Sequence, residues 1–128
     1  MVVRVIPPRD IDRNGLHRSN LEGLRAMLRA LSPPAEACLV DGFRLGPNAP
    51  PHRAVVDGDE KSAAIAAASI VAKVTRDRYM RRADALYPAY GFSSHVGYIT
   101  PGHSAVVRAR GPSEIHRRSF QALCYQGA

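Results

Sequence analysis

Residues 62–86 contain neither glycine nor proline, although the whole chain of 128 residues carries ten of each. The segment opens with the small-residue run SAAIAAAS and continues into the basic run KVTRDRYMRR. Alanine and the long charged residues favour helix, so the segment predicts one long helix. We expect its alanines to let the first half of this helix approach a sheet closely.

Short apolar runs elsewhere predict strands. The runs are VVRVI at residues 2–6, ACLV at 37–40 and RAVV at 53–56. The second and third each stop at an Asp-Gly pair, which is a turn signal, and the three prolines between residues 43 and 52 predict a loop. Two of the predicted strands therefore end in an acidic turn.

Two further helices are predicted from spacing and from end signals. Between residues 11 and 31, four leucines recur at steps of three or four, and Pro33 and Pro34 follow them. Thr100 is placed to cap the second helix, with Pro101 at its first position and Gly111 just past its end. Strand, helix, strand, strand and helix in that order predict an α/β fold. Three short strands make a small sheet, which suggests that further strands precede them.

Composition excludes several classes of protein. With 45% hydrophobic and 23% charged residues the chain is globular and suits one domain. No apolar run has the length of a membrane span, the N-terminus does not read as a signal peptide, and the two cysteines read as reduced thiols. We therefore expect a soluble, cytoplasmic protein.

The net charge of +7, most of it in residues 60–128, points to a polyanion as partner. The alternative is that the excess of basic residues only favours solubility.

Asp41 and Asp59 each follow a predicted strand closely, so both carboxylates are expected near one end of a sheet. Carboxylate oxygens are the ligands that Mg²⁺ prefers, and one or two of them usually suffice, with waters and substrate phosphate completing the shell. The alternative is that these are ordinary Asp-Gly turns without a ligand role. Spacing alone does not decide between the two.

Longer motifs resemble one family. The segments LVDG (39–42), GDEKS (58–62), IAAASIVAKVTRDRYM (65–80), YPAYGFSSHVGY (87–98) and GPSEIHRRSF (111–120) are similar to the C-terminal part of ribonuclease HII, a type 2 ribonuclease H. The resemblance covers residues 2–120. It implies a ribonuclease H-like fold, truncated at the N-terminus, with a partial catalytic domain over residues 1–120 and a tail over 121–128.

The resemblance also implies an activity. Members of this family use four carboxylates and two divalent ions, Mg²⁺ or Mn²⁺, to hydrolyse the RNA strand of RNA/DNA hybrids, including a single ribonucleotide in duplex DNA. Asp41 and Asp59 match two of these carboxylates. The other two belong to a G-x-D-E-x-G-R-G motif that the 128 residues do not contain, since Asp59-Glu60 is followed by KSAA. The chain alone is therefore expected to be weak or inactive. A truncated gene model, one half of a split enzyme and a non-catalytic nucleic-acid-binding remnant all stay open.

By resemblance, Tyr98 stacks on the sugar at the junction between a ribonucleotide and the next deoxynucleotide, and His95 positions the turn before it or contacts the substrate. Lys73 and Arg117 are the preferred phosphate contacts. His17, His52 and His103 are expected at the surface or as caps, and Asp77 in an ion pair with a neighbouring arginine. The family's proteins act as monomers, and an incomplete sheet would favour association of this chain. Val96 departs from the family, which often has lysine there.

Overall fold

The computed structural model describes residues 1–31 and 35–119, and its helices and strands form a mixed α/β chain. The elements are α1 (Pro8–Asn14), α2 (Leu16–Ala30), β1 (Leu39–Asp41), β2 (Arg53–Val55), α3 (Gly58–Lys61), α4 (Ala63–Leu86), a 3₁₀ turn (Pro88–Tyr90), α5 (Phe92–His95) and α6 (Pro101–Arg110). The predicted α/β class is confirmed, with more helix than the sequence patterns indicate.

The two strands form the only sheet in the described residues, and they run parallel. Leu39 pairs with Arg53 and Asp41 with Val55, so the carboxyl ends of both strands lie at the same edge. Gly42 continues the ladder by donating its N–H to the carbonyl of Val55 at 2.9 Å. The strands predicted at residues 37–40 and 53–56 are confirmed within one or two residues.

The predicted strand at residues 2–6 is wrong, because this segment pairs with no strand of residues 1–31 and 35–119. A β-branched run forms a strand only where a neighbour can accept and donate its backbone hydrogen bonds. Here Ile6 instead lies against α2, where its Cδ1 is 3.0 Å from the position that a Cβ on Gly23 would occupy. The glycine lets the extended segment approach the helix closely.

The helix predicted between residues 11 and 31 is two helices, α1 and α2. Gly15 separates them with a φ of 83°, a left-handed value that only glycine adopts readily. Three of the four leucines that carried the prediction lie in α2, and the fourth, Leu31, is its C-cap. Pro33 and Pro34 lie outside the described residues.

The long helix predicted over residues 62–86 is confirmed as α4. Its alanines, however, do not pack closely on a sheet, since Ala63, Ala64, Ala67 and Ala68 are exposed. Ile65 is the buried residue of this first half, whereas Ile70 is 64% exposed. The predicted ends of α6 are also confirmed, because the Thr100 hydroxyl accepts the His103 N–H at 3.1 Å and Gly111 caps the C-terminus.

The chain divides into two compact units. The first comprises residues 1–6 and 13–72, and the second comprises residues 7–12 together with the chain from Lys73 onward. Val40, Leu45 and Ile65 are the buried apolar residues of the first unit. The second has a core of Met80, Ala83 and Phe92, with Tyr87, Tyr90, Val96 and Ile115 packed against it.

No helix in the described residues combines the length and the apolar character that crossing a membrane requires. The predicted boundary between a domain at 1–120 and a tail at 121–128 falls outside the described residues.

Phe92→Ala should strongly destabilise the second unit. The Phe92 side chain is 1% exposed, and its ring lies 5.5 Å from that of Tyr90 and 5.6 Å from that of His95. Truncating a buried phenylalanine costs about 3–5 kcal/mol in transfer and cavity terms. Chemical unfolding should therefore show a lower midpoint, whereas Tyr79→Ala, on the exposed side of α4, should change it little. Equal losses in the two variants would contradict the assigned core.

Candidate active site

Asp41 is tied to the turn that carries Asp59. It is the last residue of β1, and its Oδ1 accepts the N–H of Gly58 at 2.9 Å. Gly58 begins α3, and Asp59 is the next residue, in the first turn of that helix. Both aspartates are exposed. The backbone bond thus brings the LVDG and GDEKS motifs together at the carboxyl edge of the sheet.

Gly58 is required by this arrangement for a steric reason. A Cβ on Gly58 would lie 2.6 Å from Cδ1 of Ile65 and 3.1 Å from Oδ1 of Asp41. Gly58 is buried, so α4 and the Asp41 carboxylate both approach its backbone from close range. The glycine of the GDEKS motif is therefore a packing requirement of the first unit.

The rest of the GDEKS turn is held by its own chain. Asp57 precedes α3 in a left-handed conformation with φ 52°, which aspartate tolerates better than most residues. Lys61 folds back and donates from Nζ to the carbonyl of Val56 at 2.7 Å. Lys61 and the Asp57 conformation together fix the path of the backbone on either side of Asp59.

The donor set suits a hard divalent cation. Asp41 uses one oxygen for the Gly58 N–H and has a second, and Asp59 adds another carboxylate. Two carboxylates, with waters and a substrate phosphate, match the shell that Mg²⁺ prefers. In the described residues no three His, Cys, Asp or Glu side chains cluster closely enough to hold a metal ion between them. These residues therefore fit one ion, and a pair of ions would need further acidic ligands.

Tyr98 lies in the second unit, at the end of a strained turn. Val96 has φ 45° and Gly97 has φ 86°, and a left-handed conformation is unusual for a β-branched residue such as valine. Arg76 of α4 holds the turn by donating from Nη1 to the Val96 carbonyl at 2.6 Å. Its guanidinium also lies 5.7 Å from the centre of the Tyr98 ring, which is a cation–π distance. Tyr98 is 59% exposed, so its ring remains accessible for stacking.

His95 uses both of its ring nitrogens within its own turn. Its Nδ1 accepts the Gly97 N–H at 3.0 Å, and its Nε2 lies 2.6 Å from the Tyr90 carbonyl. Since a backbone N–H can only donate, Nδ1 is the acceptor and Nε2 carries the proton. These two hydrogen bonds show that His95 stabilises the turn before Tyr98.

The two predicted phosphate contacts have different surroundings. Lys73 pairs with Asp77 one helical turn further along α4, at 2.9 Å, and this hydrogen bond raises the pKa of Lys73 and lowers that of Asp77. The partner of Asp77 is thus Lys73, not one of the arginines predicted for it. Arg117 is half-buried, between His116 and Arg118.

Asp12 anchors the segment that contains Arg117. Its carboxylate accepts the N–H groups of Arg118 and Ser119 at 2.9 and 2.8 Å, and the Ser119 hydroxyl at 2.6 Å. The hydrogen bonds from Ser119 are the main reason why the pKa of Asp12 is lowered.

A buried histidine pair was missed by the sequence predictions. His103, expected at the surface or as a cap, is 6% exposed, and His116 is 7% exposed. Their Nε2 atoms lie 2.9 Å apart, and His116 Nδ1 accepts the Ser113 N–H at 2.9 Å. Burial lowers the pKa of both imidazoles, and that of His116 falls from 6.5 to about 4, helped by His103 and His95. The available signal was the presence of His116 in a family motif, which says nothing about burial.

Of the two remaining histidines expected at the surface or as caps, one differs from that expectation. His52 is half-buried and bridges the loop between the strands, where its Nε2 accepts the Leu45 N–H at 2.9 Å and its Nδ1 faces the Pro50 carbonyl at 2.8 Å. His17 is exposed, as predicted. Arg25 supports the same loop by donating to the Leu45 carbonyl at 2.7 Å.

Comparison with known proteins places these motifs in one family. The sequence model of the ribonuclease HII family matches residues 1–123. The chain is 49% identical over 115 residues to a ribonuclease HII of Mycobacterium avium, covering 90% of this chain and 50% of that protein. It is 47% identical over 119 residues to a ribonuclease HII of Nocardia farcinica, covering 93% of this chain and 47% of that protein. The chain belongs to the ribonuclease HII family.

Membership of this family accounts for the α/β architecture as part of a ribonuclease H-like fold. The chain spans about half the length of the curated relatives that it matches. The two aspartates lie in the first unit and Lys73, His95, Tyr98 and Arg117 in the second.

Gly58→Ala should destabilise the first unit, because the added methyl group would meet Ile65 and the Asp41 carboxylate. Overpacking of this kind costs about 1–3 kcal/mol. Gly102→Ala is the matched control, since its Cβ would meet nothing within 4 Å and the residue lies in helix α6. Thermal unfolding should show a fall in Tm for Gly58→Ala and none for Gly102→Ala. An unchanged Tm for Gly58→Ala would contradict the close approach.

Acid should destabilise the second unit before its carboxylates titrate. Because the folded pKa of His116 is depressed, the unfolded chain binds its proton first as the pH falls below 6.5. The free energy of unfolding should therefore fall by about 2 kcal/mol between about pH 7 and pH 5, and level off only near the folded pKa.

Chemical unfolding at a series of pH values measures this slope. Asp12 stays ionised over that range, because its pKa is lowered from 3.8 and its own contribution is lost only at lower pH. His17→Gln, which removes an exposed histidine, should leave the slope unchanged, and His116→Asn should flatten it. The same slope in His116→Asn and the unsubstituted protein would contradict the assignment.

Proposed function

We propose that this chain belongs to an endonuclease that hydrolyses the RNA strand of RNA/DNA hybrids, including a single ribonucleotide embedded in duplex DNA. One observation carries the proposal. The hydrogen bond from Gly58 to Asp41 joins the two acidic motifs of a ribonuclease HII family chain at one sheet edge. Hydrolysis would leave a 3′-hydroxyl and a 5′-phosphate.

Asp41 and Asp59 would hold the divalent cation, Mg²⁺ or Mn²⁺. In two-metal hydrolysis such ions activate the attacking water and stabilise the leaving oxygen. The chain's own contribution is to bring these two residues to one edge of the sheet. Asp41 is held by the Gly58 N–H at 2.9 Å, and the backbone before Asp59 is held by the Lys61–Val56 bond at 2.7 Å. A carboxylate that the backbone already holds, as Gly58 holds that of Asp41, loses little conformational freedom when it takes up a ligand.

We propose further that these 128 residues alone are inactive or weakly active. Two aspartates supply few anionic ligands for a pair of ions, and the sequence holds no G-x-D-E-x-G-R-G segment to supply more. By the family pattern that segment also reads the 2′-hydroxyl through its backbone. The remaining acids would come from another segment or another chain. The alternative is a non-catalytic remnant that binds nucleic acid.

The second unit would supply substrate contacts. The exposed Tyr98 ring, backed by Arg76, is available to stack on a sugar or base. Lys73 and Arg117 would contact phosphates, and the net charge of +7 favours binding that weakens with salt. Lys73 must exchange Asp77 for phosphate, and its own side chain is 66% exposed, so it is accessible for that exchange. We propose that this nuclease acts as a monomer in the cytoplasm, during DNA replication and repair.

A cleavage assay tests the proposal. The purified chain is incubated with a duplex containing one ribonucleotide, with and without Mn²⁺, alone and together with a family member's separately produced N-terminal half. We expect little or no cleavage by the chain alone and Mn²⁺-dependent cleavage by the mixture. Asp59→Asn and Asp41→Asn should abolish that cleavage, because each removes one anionic ligand.

Asp57→Asn is the matched control. Asn tolerates the left-handed conformation of residue 57, and this acid lies next to the site without belonging to the pair. It should retain cleavage. Salt-sensitive binding to the duplex with no cleavage in any mixture would favour the remnant. Cleavage that survives Asp59→Asn would contradict the proposed carboxylate pair.

A further inference from the structure

The hydrogen bonds around the buried histidine pair have one consistent direction. The Ser113 N–H donates to Nδ1 of His116 at 2.9 Å, and a backbone N–H can only donate. The Ser113 hydroxyl lies 2.7 Å from the same nitrogen. Nδ1 of His116 is therefore an acceptor, and a neutral His116 carries its proton on Nε2.

That proton determines the state of His103. His116 Nε2 donates to His103 Nε2 at 2.9 Å, so His103 Nε2 is an acceptor and its own proton is on Nδ1. His103 Nδ1 in turn lies 2.9 Å from the Tyr98 carbonyl and donates to it. A chain of neutral donors thus runs from Ser113 through both histidines to the backbone of Tyr98.

The last link of this chain is held rigidly. His103 lies in the first turn of α6, where its N–H is capped by Thr100. Its ring stacks on that of His95 at a centroid distance of 4.0 Å and an angle of 9°. His95 braces Gly97 on the other side of the same turn. The backbone that presents the Tyr98 ring is therefore held by two stacked imidazoles.

We propose that His103 is a positioning residue, which directs the exposed Tyr98 ring by holding the Tyr98 carbonyl as the end of the Ser113–His116–His103 chain. The inference rests on the proposed function, in which Tyr98 contacts the sugar of a ribonucleotide junction. His103 itself is buried and touches no substrate.

The Ser113–His116–His103 chain of hydrogen bonds also makes the position of Tyr98 sensitive to acid. An added proton would go to Nδ1 of His116, facing the Ser113 N–H, or to Nε2 of His103, facing the His116 N–H. At either nitrogen, two N–H donors would then face each other without an acceptor, which breaks the chain of hydrogen bonds. Among the described residues, the other titratable or charged groups facing the two imidazoles and the Tyr98 turn include His95, which stacks on His103, and Tyr90, whose ring centre is 5.2 Å from that of His116. They also include Arg76 and Lys73, which lie beside Tyr98.

Imidazole ¹⁵N NMR of the unsubstituted chain tests the first step and needs no variant. At neutral pH we expect His103 protonated on Nδ1 alone and His116 on Nε2 alone. A charged His103, or His103 protonated on Nε2, would overturn the proposal.

Two substitutions separate positioning from folding. His103→Asn places an amide N–H where Nδ1 stands and keeps the donor to Tyr98, whereas His103→Gln reaches toward His116 and loses it. We expect His103→Gln to shift the ¹³C resonance of the Tyr98 carbonyl, and His103→Asn to restore it. The acid-dependent movement of this resonance should disappear in His103→Asn. A Tyr98 resonance that is the same in the unsubstituted chain and in His103→Gln would overturn the proposal.

Binding to duplexes with and without one ribonucleotide gives the functional readout, with the chain in the mixture described above. His103→Gln should lose discrimination by about tenfold, equivalent to roughly 1.4 kcal/mol, and His103→Asn should regain most of it. If His103→Gln still discriminates fully between the two duplexes while Tyr98→Ala does not, only the positioning role of His103 is overturned. Full discrimination in Tyr98→Ala would overturn the proposed function of Tyr98, whatever the carbonyl resonance shows.

Discussion

The hydrogen bond between the Gly58 N–H and the Asp41 carboxylate is the interaction on which the candidate active site depends. It joins the end of β1 to the start of α3, and it places the two family aspartates on neighbouring pieces of backbone. It is possible only because residue 58 has no side chain, since Ile65 and Asp41 both approach within the space of a Cβ. One small residue thus allows the close approach of both α4 and the Asp41 carboxylate.

The second unit is organised by a polar core instead of a purely apolar one. His95, His103 and His116 surround Phe92, and their rings meet its ring at centroid distances of 5.6, 5.9 and 5.6 Å. Buried imidazoles are stable only where each nitrogen has a partner, and the hydrogen bonds to Ser113, Tyr98 and Tyr90 provide these. Such a hydrogen-bond network restricts the conformation of the turn more than apolar packing does, because each imidazole has one allowed position for its proton.

Helices that depend on local signals could be predicted from the sequence, whereas the pairing of strands could not. The Gly- and Pro-free segment of α4 and the cap at Thr100 were predicted correctly, because helices depend on local hydrogen bonds and local end signals. The β-branched run at residues 2–6 forms no strand, because a strand depends on a neighbour that local sequence does not reveal. Gly15 similarly ends α1 before the leucine stripe of α2 begins, a break that the spacing of the leucines does not reveal.

The candidate site shows the same division. The acidic motifs identify Asp41 and Asp59 as residues, but the bond through Gly58 that associates them is a tertiary contact. Burial of His103 and His116 could not be read from the sequence, because an isolated histidine is more often exposed and only its partners make burial favourable. Arg76 holds the Val96 carbonyl, a tertiary contact that the basic run of α4 does not indicate.

Paramagnetic broadening by Mn²⁺ measures most directly whether the two aspartates form a cation site. In ¹H–¹⁵N spectra of the chain titrated with Mn²⁺, the amide resonances of Asp41, Gly42, Gly58 and Asp59 should broaden first and together, and Mg²⁺ in excess should restore them. If the first resonances to broaden belong to another region, or if those of the two motifs broaden separately, the shared site does not exist.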